Sequence, residues 1–357
     1  MTLVLARRFV IGIAALLCSS AMAGATGYYL CTDVPTSLGG TDYTPGQILV
    51  SSPGVYSLQI DLAADPDLQL GGLERRADGI WLLSPAVPQE GAGPRDVVFF
   101  DGVSPSPFFD GNANGVPDLA RIDAVLLDGG HLVLSFDVPV SLGGVDYGPS
   151  DLVRWDAPGF SLGWGAQAAG VPAGSNLVGA SIDPGGHLVM TFDTPTTLDG
   201  VEYLPGQLVQ WNGGTLFAAY SVDPNWPPSA QLRDFGFLPA AGAVPDGSGP
   251  SATALTVTRS AASLTLSWGD DCPSPGDDYA VYEGTLTEPF TYAHTEKLCT
   301  TGGATSATFP EPSGDAYYLI VKRNVVSEGS YGRASSGAER PQGIAMCLPQ
   351  SIGPTCP

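Results

Sequence analysis

"GGHLVLSFDVPVSLGGVDYGPSDLVRWD" occupies residues 129–156, and "GGHLVMTFDTPTTLDGVEYLPGQLVQWN" occupies residues 185–212. Between 130–156 and 186–212, 15 of 27 positions are identical. A third copy begins at Leu30 ("LCTDVPTSLGGTDYTPGQILV"), and a shorter, diverged copy begins at Gly79 ("GIWLLSPAVPQEGAGPRDVVFFDG"). One proline recurs in all four copies, at spacings of 53, 51 and 56 residues. Four modules are therefore predicted over 28–239, and a period of roughly 50 residues is typical of stacked or radial repeat architectures.

Each module is predicted to contain four short strands. In the run from His131 to Phe136, the apolar residues Leu132, Leu134 and Phe136 fall on one face of a predicted strand. Further strands are predicted at 151–156, 159–164 and 176–183, with turns rich in glycine and proline between them. The chain has 47 Gly and 32 Pro and no long stretch with helical apolar spacing, so an all-β fold is predicted. The period favours a small β-propeller, and an open stack or sandwich of β-modules is the alternative.

A second domain is predicted after a linker at 240–253, "AAGAVPDGSGPSAT". Seven strand-like runs follow: "TALTVTRS", "SLTLSW", "DYAVYEG", "YAHTEKLCT", "SATFPEP", "AYYLIVKRN" and "GSYGRAS". With Trp268 on the second run and "YYLIVKRN" at 317–324, the region 254–340 resembles a fibronectin type III domain, which implies a β-sandwich. The part before the linker, 24–239, resembles propeller-like β-repeat regions of uncharacterised exported bacterial proteins. Residues 341–357 are predicted to form a C-terminal tail.

The amino terminus predicts export. A basic pair at Arg7 and Arg8, a short apolar core and the cleavage pattern at 21–23 indicate a secretory signal peptide over 1–23. No later stretch is apolar and long enough to span a bilayer, so a secreted, cell-surface or periplasmic protein is expected. Five cysteines would remain after cleavage, and Cys272–Cys299 and Cys347–Cys356 are the economical disulfide pairs. Cys31 is then left over, either free or bonded elsewhere.

The charge excludes some partners. The chain has 14 Lys and Arg against 36 Asp and Glu, a net charge of −22. Removal of the signal peptide takes away two arginines and leaves −24. Such a surface repels nucleic acid and anionic lipid, because both are polyanions.

One loop has the spacing of a calcium site. In "DGNANGVPD", Asp110, Asn112, Asn114 and Asp118 fit positions 1, 3, 5 and 9 of a calcium loop, and Val116 completes the candidate set. Position 12, which should be glutamate, is an arginine, and the matching loop of the next module has no carboxylate. The alternative is a turn rich in Asp and Asn.

A second candidate cation site follows from the repeat. Asp33, Asp137 and Asp193 occupy one repeat position, each in a D-x-P motif, and Ala86 replaces them in the second module. If the modules close a ring, these carboxylates would surround one axis and hold a cation. The alternative is an aspartate that caps a turn before proline.

Other chemical motifs are weaker. "GFSLG" at 159–163 matches G-x-S-x-G, but a nucleophile elbow requires a following helix, and the motif falls within a predicted strand. His131 and His187 share a repeat position, which indicates a scaffold role, and His294 stands alone. The recurring tryptophans at 155, 164, 211 and 226 would stack on sugar rings if exposed and are core residues if buried.

The sequence therefore predicts a non-enzymatic, exported binding or surface-interaction protein, with calcium as an optional cofactor. A glycan or a cell-surface protein is the expected type of partner. A structural or spacer protein of the envelope or matrix is one alternative. A hydrolase of extracellular polymer is the other.

Overall fold

The structure is a computed structural model that describes residues 27–52, 55–62, 68–76, 78–221, 226–227, 229–243, 253–269, 278–343 and 345–352. The signal peptide predicted at 1–23, Cys272, Cys356 and most of the linker lie outside these residues. All described secondary structure is β-strand and turn, so the all-β prediction is confirmed. None of the described segments forms a helix with the length and apolarity needed to cross a lipid bilayer.

The described residues between 28 and 237 form 22 strands. In chain order these are β1 (Tyr28–Thr32), β2 (Thr36–Leu38), β3 (Thr41–Tyr43), β4 (Gln47–Ser52), β5 (Val55–Asp61), β6 (Leu70–Arg75), β7 (Trp81–Pro85), β8 (Val97–Phe100), β9 (Pro105–Phe109), β10 (Ile122–Asp128), β11 (His131–Phe136), β12 (Val140–Leu142), β13 (Val145–Tyr147), β14 (Leu152–Asp156), β15 (Gly159–Trp164), β16 (Leu177–Ile182), β17 (Leu188–Phe192), β18 (Thr196–Leu198), β19 (Val201–Tyr203), β20 (Leu208–Trp211), β21 (Phe217–Ser221) and β22 (Leu232–Phe237).

These strands build four antiparallel, four-stranded sheets. Sheet I has the order β22-β1-β4-β5, sheet II β6-β7-β8-β9, sheet III β10-β11-β14-β15 and sheet IV β16-β17-β20-β21. Three short hairpins, β2–β3, β12–β13 and β18–β19, connect the second and third strands of sheets I, III and IV. In sheet III the first two strands meet at a two-residue turn, where Gly129 and Gly130 have φ of 56° and 84°. Tight hairpin turns require such left-handed backbone, which glycine adopts without a steric cost.

The four sheets close into a cycle. The first strands β6, β10, β16 and β22 pack side by side around one axis, each closely against the next and only slightly against the one opposite. Each neighbouring pair of sheets encloses its own apolar core. The last strand of the repeat region, β22, pairs with the first strand, β1. Sheet I therefore contains strands from both ends of the repeat region. We call this arrangement the four-sheet ring.

The predicted limits of a module need correction. The strand predicted at 176–183 was assigned to the module that begins at His131, but β16 pairs with β17 and begins sheet IV. The first strand of sheet III is instead β10, which precedes the quoted repeat. A tandem repeat has no intrinsic start, so its sequence fixes the period and leaves the sheet boundary open.

The C-terminal region forms two three-stranded sheets. Its strands are β23 (Thr256–Ser260), β24 (Ser263–Ser267), β25 (Asp278–Thr285), β26 (His294–Leu298), β27 (Ser306–Pro310) and β28 (Ala316–Arg323). The sheet orders are β23-β24-β27 and β26-β25-β28, with Trp268, Tyr279 and Ile320 in the core. The seventh predicted strand, "GSYGRAS", makes only isolated bridges among the described residues; its Ser330 N–H donates to the Gly242 carbonyl and its Tyr331 N–H donates to the Glu339 carboxylate.

The start of the predicted linker and the tail both contact the C-terminal region. The Asn324 amide donates to the carbonyl of Pro239 at 3.1 Å, and the Ser330 N–H donates to the Gly242 carbonyl at 2.9 Å. In the tail, the Ser351 hydroxyl donates to the carbonyl of Leu238 at 2.6 Å. The tail also contacts the C-terminal region, where the Glu328 N–H donates to the Pro349 carbonyl at 2.9 Å, so the described tail residues link this region to the end of the ring.

The predicted disulfide pairing is wrong. Cys299 is bonded to Cys347, 48 residues later in the chain, so neither Cys272–Cys299 nor Cys347–Cys356 forms. The physical reason is that the tail folds back along β26, where Thr295 bridges to Ala345 and brings the two sulfur atoms together. Short sequence separation favours a pair only when the fold does not bring a distant cysteine closer. Cys31 is free and buried, and burial raises the pKa of its thiol.

Candidate ligand groove and axial carboxylates

An open groove of about 750 Å³ lies between sheets III and IV. Sites for small molecules typically have volumes of ~300–1,000 Å³. Its lining includes the polar or charged residues Asp128, Arg154, Ser161, His187 and Asn212, together with Gly163, Trp164 and Trp211. We call this feature the III–IV groove.

The groove exists because one repeat position carries a glycine. The fourth strand of every sheet has a one-residue β-bulge, and the four bulge residues are Gln59, Phe108, Gly163 and Tyr220. Two of these are aromatic and fill the space beside the next sheet. At sheet III the same position has no side chain, so the space beside sheet IV stays open.

The filled counterpart between sheets II and III shows what is missing. There, Phe108 packs on Phe99 with ring centroids 4.3 Å apart and meets Trp155 edge-on at 6.2 Å. Pairing registers place Arg154 at the position of Phe99 and Gly163 at that of Phe108. The III–IV groove therefore lacks two aromatic rings that its sister interface contains. Between sheets IV and I, Tyr220 packs on a phenylalanine ring at 5.2 Å in the same way.

Two tryptophans give the groove an apolar floor. Trp164 and Trp211 meet edge to face, with ring centroids 5.9 Å apart. Trp164 is 8% exposed, whereas Trp211 is only partly buried. Trp211 donates its Nε1–H to the Gly214 carbonyl at 3.0 Å, and the buried Nε1–H of Trp164 has no acceptor among the described residues. Trp164 is a core residue, as one of the two alternatives for the tryptophans predicts. Trp211 packs against the core and also has access to the groove.

The positive charges at the groove are already paired. The Arg154 Nε lies 2.9 Å from the Asp156 carboxylate, and the His187 Nδ1 lies 3.2 Å from that of Asp183. Asp128 adds a further carboxylate to the lining. Among the described lining residues, Arg154 and His187, the two basic side chains, thus each have an acidic partner, and the groove does not attract anions.

Ser161 of the "GFSLG" motif lies on one wall of the groove, and His187 lies on the other. Ser161 is exposed in the middle of β15, and no hydrogen bond joins it to His187. His131, at the same repeat position as His187, contacts the Asp156 carboxylate at 2.5 Å. His294 is buried in the C-terminal region, where its Nδ1 faces the Tyr317 hydroxyl at 3.3 Å.

The axis of the ring holds a buried carboxylate that the sequence analysis missed. Asp234, on β22, is fully buried, and its oxygens accept the N–H groups of Leu73 at 2.6 Å, Val125 at 3.2 Å and Phe235 at 2.8 Å. Small residues at the same position of the other first strands leave room for it: a Cβ on Gly179 would lie 3.0 Å from its Oδ1. Burial raises the pKa of Asp234 well above its usual value, and the N–H donors act against this shift. The available sequence signal was the pair of charged residues Arg233 and Asp234 in a strand whose other residues are apolar or glycine.

Two further acidic side chains lie near the axis. Burial raises the pKa of Glu74, on β6, to about 8, and the Ser181 hydroxyl faces it at 3.5 Å. Burial likewise raises the pKa of Asp123, on β10, to about 6, against the opposing effects of Arg233 and of the Asn176 amide at 2.8 Å. Glu74 and Asp123 mark the polar interior of the ring, and each lies on the first strand of a different sheet.

The three repeated aspartates act within separate sheets. Asp33 accepts the N–H of Gln231 at 2.7 Å, and Asp137 accepts the N–H of Arg121 at 2.8 Å. The Asp193 carboxylate faces the Asn176 amide at 3.2 Å. Each partner immediately precedes the first strand of its sheet, so this position ties the second strand to the start of the first.

A cation already lies close to this end of the axis. Asp123 interacts electrostatically with Asp137 and Asp193, and the Arg233 guanidinium lies 3.9 Å from its Oδ1. The described residues contain no group of three or more His, Cys, Asp or Glu side chains arranged to hold a metal ion. Cation binding by Asp33, Asp137 and Asp193 stays a prediction.

The candidate calcium loop uses its polar atoms internally. The Asp110 carboxylate accepts the Ala113 N–H at 2.9 Å, and the Asn114 amide oxygen accepts the Trp155 indole N–H at 3.2 Å. Arg95 pairs with Asp118 and donates to the Val116 carbonyl at 3.1 Å. Asn112 is exposed. These contacts are those of a turn rich in Asp and Asn, and calcium binding stays a prediction.

Comparisons with known proteins give distant similarities only. No family model and no curated protein matches the chain. Among solved structures, it is similar to the extracellular domain of BT3049 from B. thetaiotaomicron, assigned to a hybrid two-component system, with 12% identity and a TM-score of 0.26. That match covers 91% of this chain and 44% of the other, so the chain spans less than half of that structure.

Two further structures are similar at the same level. A protein of unknown function from Bacteroides caccae has 10% identity and a TM-score of 0.25, over 68% of this chain and 82% of the other. An exo-β-1,3-galactanase from Phanerochaete chrysosporium has 10% identity and a TM-score of 0.24, over 82% and 85%. Similarity at this level transfers no activity to the chain.

Proposed function

We propose that this chain is an exported, non-enzymatic binding protein that takes its ligand in the III–IV groove. In this proposal the four-sheet ring is a small β-propeller, and the C-terminal region is a fibronectin type III-like module that is attached to it. The observation that carries the proposal is the glycine at the bulge position of sheet III, where two sister sheets have an aromatic ring. The groove that results has the volume of a small-molecule site, with an apolar aromatic floor and hydrogen-bonding groups around it.

Export is supported by two independent features. The sequence begins with a predicted signal peptide, and the structure contains the Cys299–Cys347 disulfide. Disulfides persist in oxidising compartments such as the periplasm and the extracellular space. The strongly acidic composition keeps such a protein soluble and separate from nucleic acid and anionic membranes.

The test is ligand-dependent thermal stabilisation of the mature chain and two variants. Gly163→Phe inserts the missing ring into the III–IV groove. Gln59→Phe adds the same side chain at the equivalent bulge of sheet I and is the matched control. The melting temperatures of the wild type and both variants are measured with four panels of compounds: neutral oligosaccharides, acidic oligosaccharides, peptides and small amphiphiles.

A ligand that binds only the folded protein raises its melting temperature. We expect one panel to stabilise the wild type and Gln59→Phe but not Gly163→Phe. Stabilisation of all three proteins by the same compounds, or of none by any panel, contradicts the proposal. A Cβ at position 163 would lie 3.2 Å from the Leu152 carbonyl, so the variant requires a small backbone adjustment. Ser161→Tyr, which blocks the groove from its exposed wall, provides a second obstruction if Gly163→Phe does not fold.

Hydrolysis of an extracellular polymer is a second candidate function. Ser161 and His187 both line the groove, and the His187 Nδ1 lies 3.2 Å from the Asp183 carboxylate. A serine and an oriented histidine are two parts of a nucleophilic site, but the hydrogen bond between them is not formed here. Loss of polymer cleavage in both Ser161→Ala and His187→Ala would favour the hydrolase. Cleavage that survives both changes, or no cleavage by the wild type, removes it.

A further inference from the structure

We infer that the ligand of the III–IV groove is a neutral oligosaccharide. This inference rests on the proposed function and narrows it to one class of compound. It follows from the floor, the rim and the charge of the groove.

The floor and the rim have different chemistry. Trp164 and Trp211 provide aromatic surface, of which Trp211 contributes the more accessible part. Around them lie hydrogen-bonding groups, including the exposed Ser161 hydroxyl, which makes no hydrogen bond to any described residue, and the exposed Asn212 amide. A pyranose ring presents C–H groups on its faces and hydroxyls at its edge, so it matches an apolar floor with polar groups at the sides.

The charges exclude the acidic members of the same ligand class. Recognition of a uronate or a sulfate needs an available cation, usually arginine. Here, Arg154 and His187 are each paired with an aspartate, and Asp128 adds a further carboxylate to the lining. With a chain charge of −22, the groove repels polyanionic glycans.

The residues at two groove positions also favour a saccharide over an apolar peptide. Arg154 and Gly163 occupy the positions at which the interface between sheets II and III has two phenylalanines. The III–IV groove therefore has a charged side chain at one position and no side chain at the other. A hydrophobic segment would have to bury the Arg154–Asp156 pair, which costs desolvation energy. A hydrated, hydroxyl-rich ligand leaves that pair in contact with water.

The experiment is calorimetric titration of the mature protein with four neutral hexasaccharides: laminarihexaose, cellohexaose, mannohexaose and xylohexaose. Hexagalacturonate and an uncharged hexapeptide of apolar residues serve as the two rival probes. Trp211→Ala removes the accessible part of the floor. Trp155→Ala, at the same repeat position of sheet III, removes a tryptophan from the filled interface and is the matched control.

We expect at least one neutral hexasaccharide to bind. Trp211→Ala should weaken it at least tenfold, equivalent to about 1.4 kcal/mol, and Trp155→Ala should leave it within about threefold. Gly163→Phe provides a second variant that does not remove core volume. Circular dichroism confirms that each variant is folded before titration.

The outcomes separate this inference from the proposed function. Groove-dependent binding of hexagalacturonate or of the peptide, without binding of the neutral sugars, overturns the saccharide inference and leaves the proposed function standing. Sugar binding that is equally weakened by Trp155→Ala and Trp211→Ala overturns the placement in the groove. If none of the probes binds, the saccharide inference is wrong, and the stabilisation panels decide the proposed function.

Discussion

Substitution of Asp234 tests how the axis of the ring is held together. Its carboxylate accepts three backbone N–H groups, from Leu73, Val125 and its own neighbour Phe235, at 2.6–3.2 Å. Asp234→Ala leaves these donors buried without acceptors. Each orphaned donor costs roughly 1–3 kcal/mol, so the gross loss is about 3–9 kcal/mol. Burial of the carboxylate is itself unfavourable and raises its pKa, so its removal offsets part of this gross loss. We expect a net loss of at least ~3 kcal/mol in the free energy of unfolding.

The assay is equilibrium unfolding in urea, followed by tryptophan fluorescence. Five of the six tryptophans precede residue 240, so the signal reports mainly on the ring. Asp234→Asn keeps an oxygen for two donors and meets the third with its own amide, so its expected loss is roughly 1–3 kcal/mol at neutral pH. Asp146→Ala, in an exposed hairpin, is the surface control and should change stability by no more than about 0.5 kcal/mol.

The pH dependence distinguishes this account from a simple packing effect. Because the folded-state pKa of Asp234 is raised, its contribution to stability is complete below its unfolded pKa and is lost as the pH rises through the folded value. The difference between wild type and Asp234→Asn should therefore shrink between pH 5 and pH 8. A loss below ~1 kcal/mol in Asp234→Ala, or a difference that grows with pH, refutes the reasoning.

Three further predictions concern other parts of the chain. Asp33→Ala removes the acceptor of the Gln231 N–H at the closure of the ring and should cost about 1–2 kcal/mol in urea unfolding; no change would mean that this contact does not hold the ends. Asp123, whose pKa burial raises to about 6, contributes stability below pH 4 that is lost as the pH rises through 6, so Asp123→Asn should be up to ~3 kcal/mol more stable than wild type at pH 8 and equal to it near pH 4. Equal effects at both pH values would contradict that pKa. Replacement of Cys347 by serine opens the bond to Cys299 and should cost about 4 kcal/mol by the chain-entropy estimate, with peptide mapping expected to find the two cysteines linked in the wild type.

The repeat could be predicted from the sequence, because side-chain periodicity and turn residues are local properties. The strands predicted at 131–136 and 159–164 coincide with β11 and β15. The closure of the ring by β22 was not predictable, since a pairing over some two hundred residues leaves no local pattern. The short hairpins β12–β13 and β18–β19 lie where the sequence predicts turns rich in glycine and proline, because a strand of three residues is too short to show an alternating pattern.

The groove was hidden for a different reason. Gly163 belongs to a motif that invites an enzymatic interpretation, and its actual effect depends on which residue occupies the same bulge in the other sheets. That equivalence follows from pairing registers, and a one-residue bulge displaces the positions from a simple alignment. Asp234 was missed because the sequence shows a charged residue in a strand but not the three N–H groups that converge on it.

Ligand binding at the gap between two repeat sheets is most directly tested by hydrogen exchange of the mature protein with and without the best-binding hexasaccharide. We expect slower exchange in β15 and β20, which carry the groove-lining Ser161, Trp164 and Trp211, and unchanged exchange in β9 at the filled interface between sheets II and III. Protection confined to β9, to the C-terminal region or to no strand of sheets III and IV would contradict it.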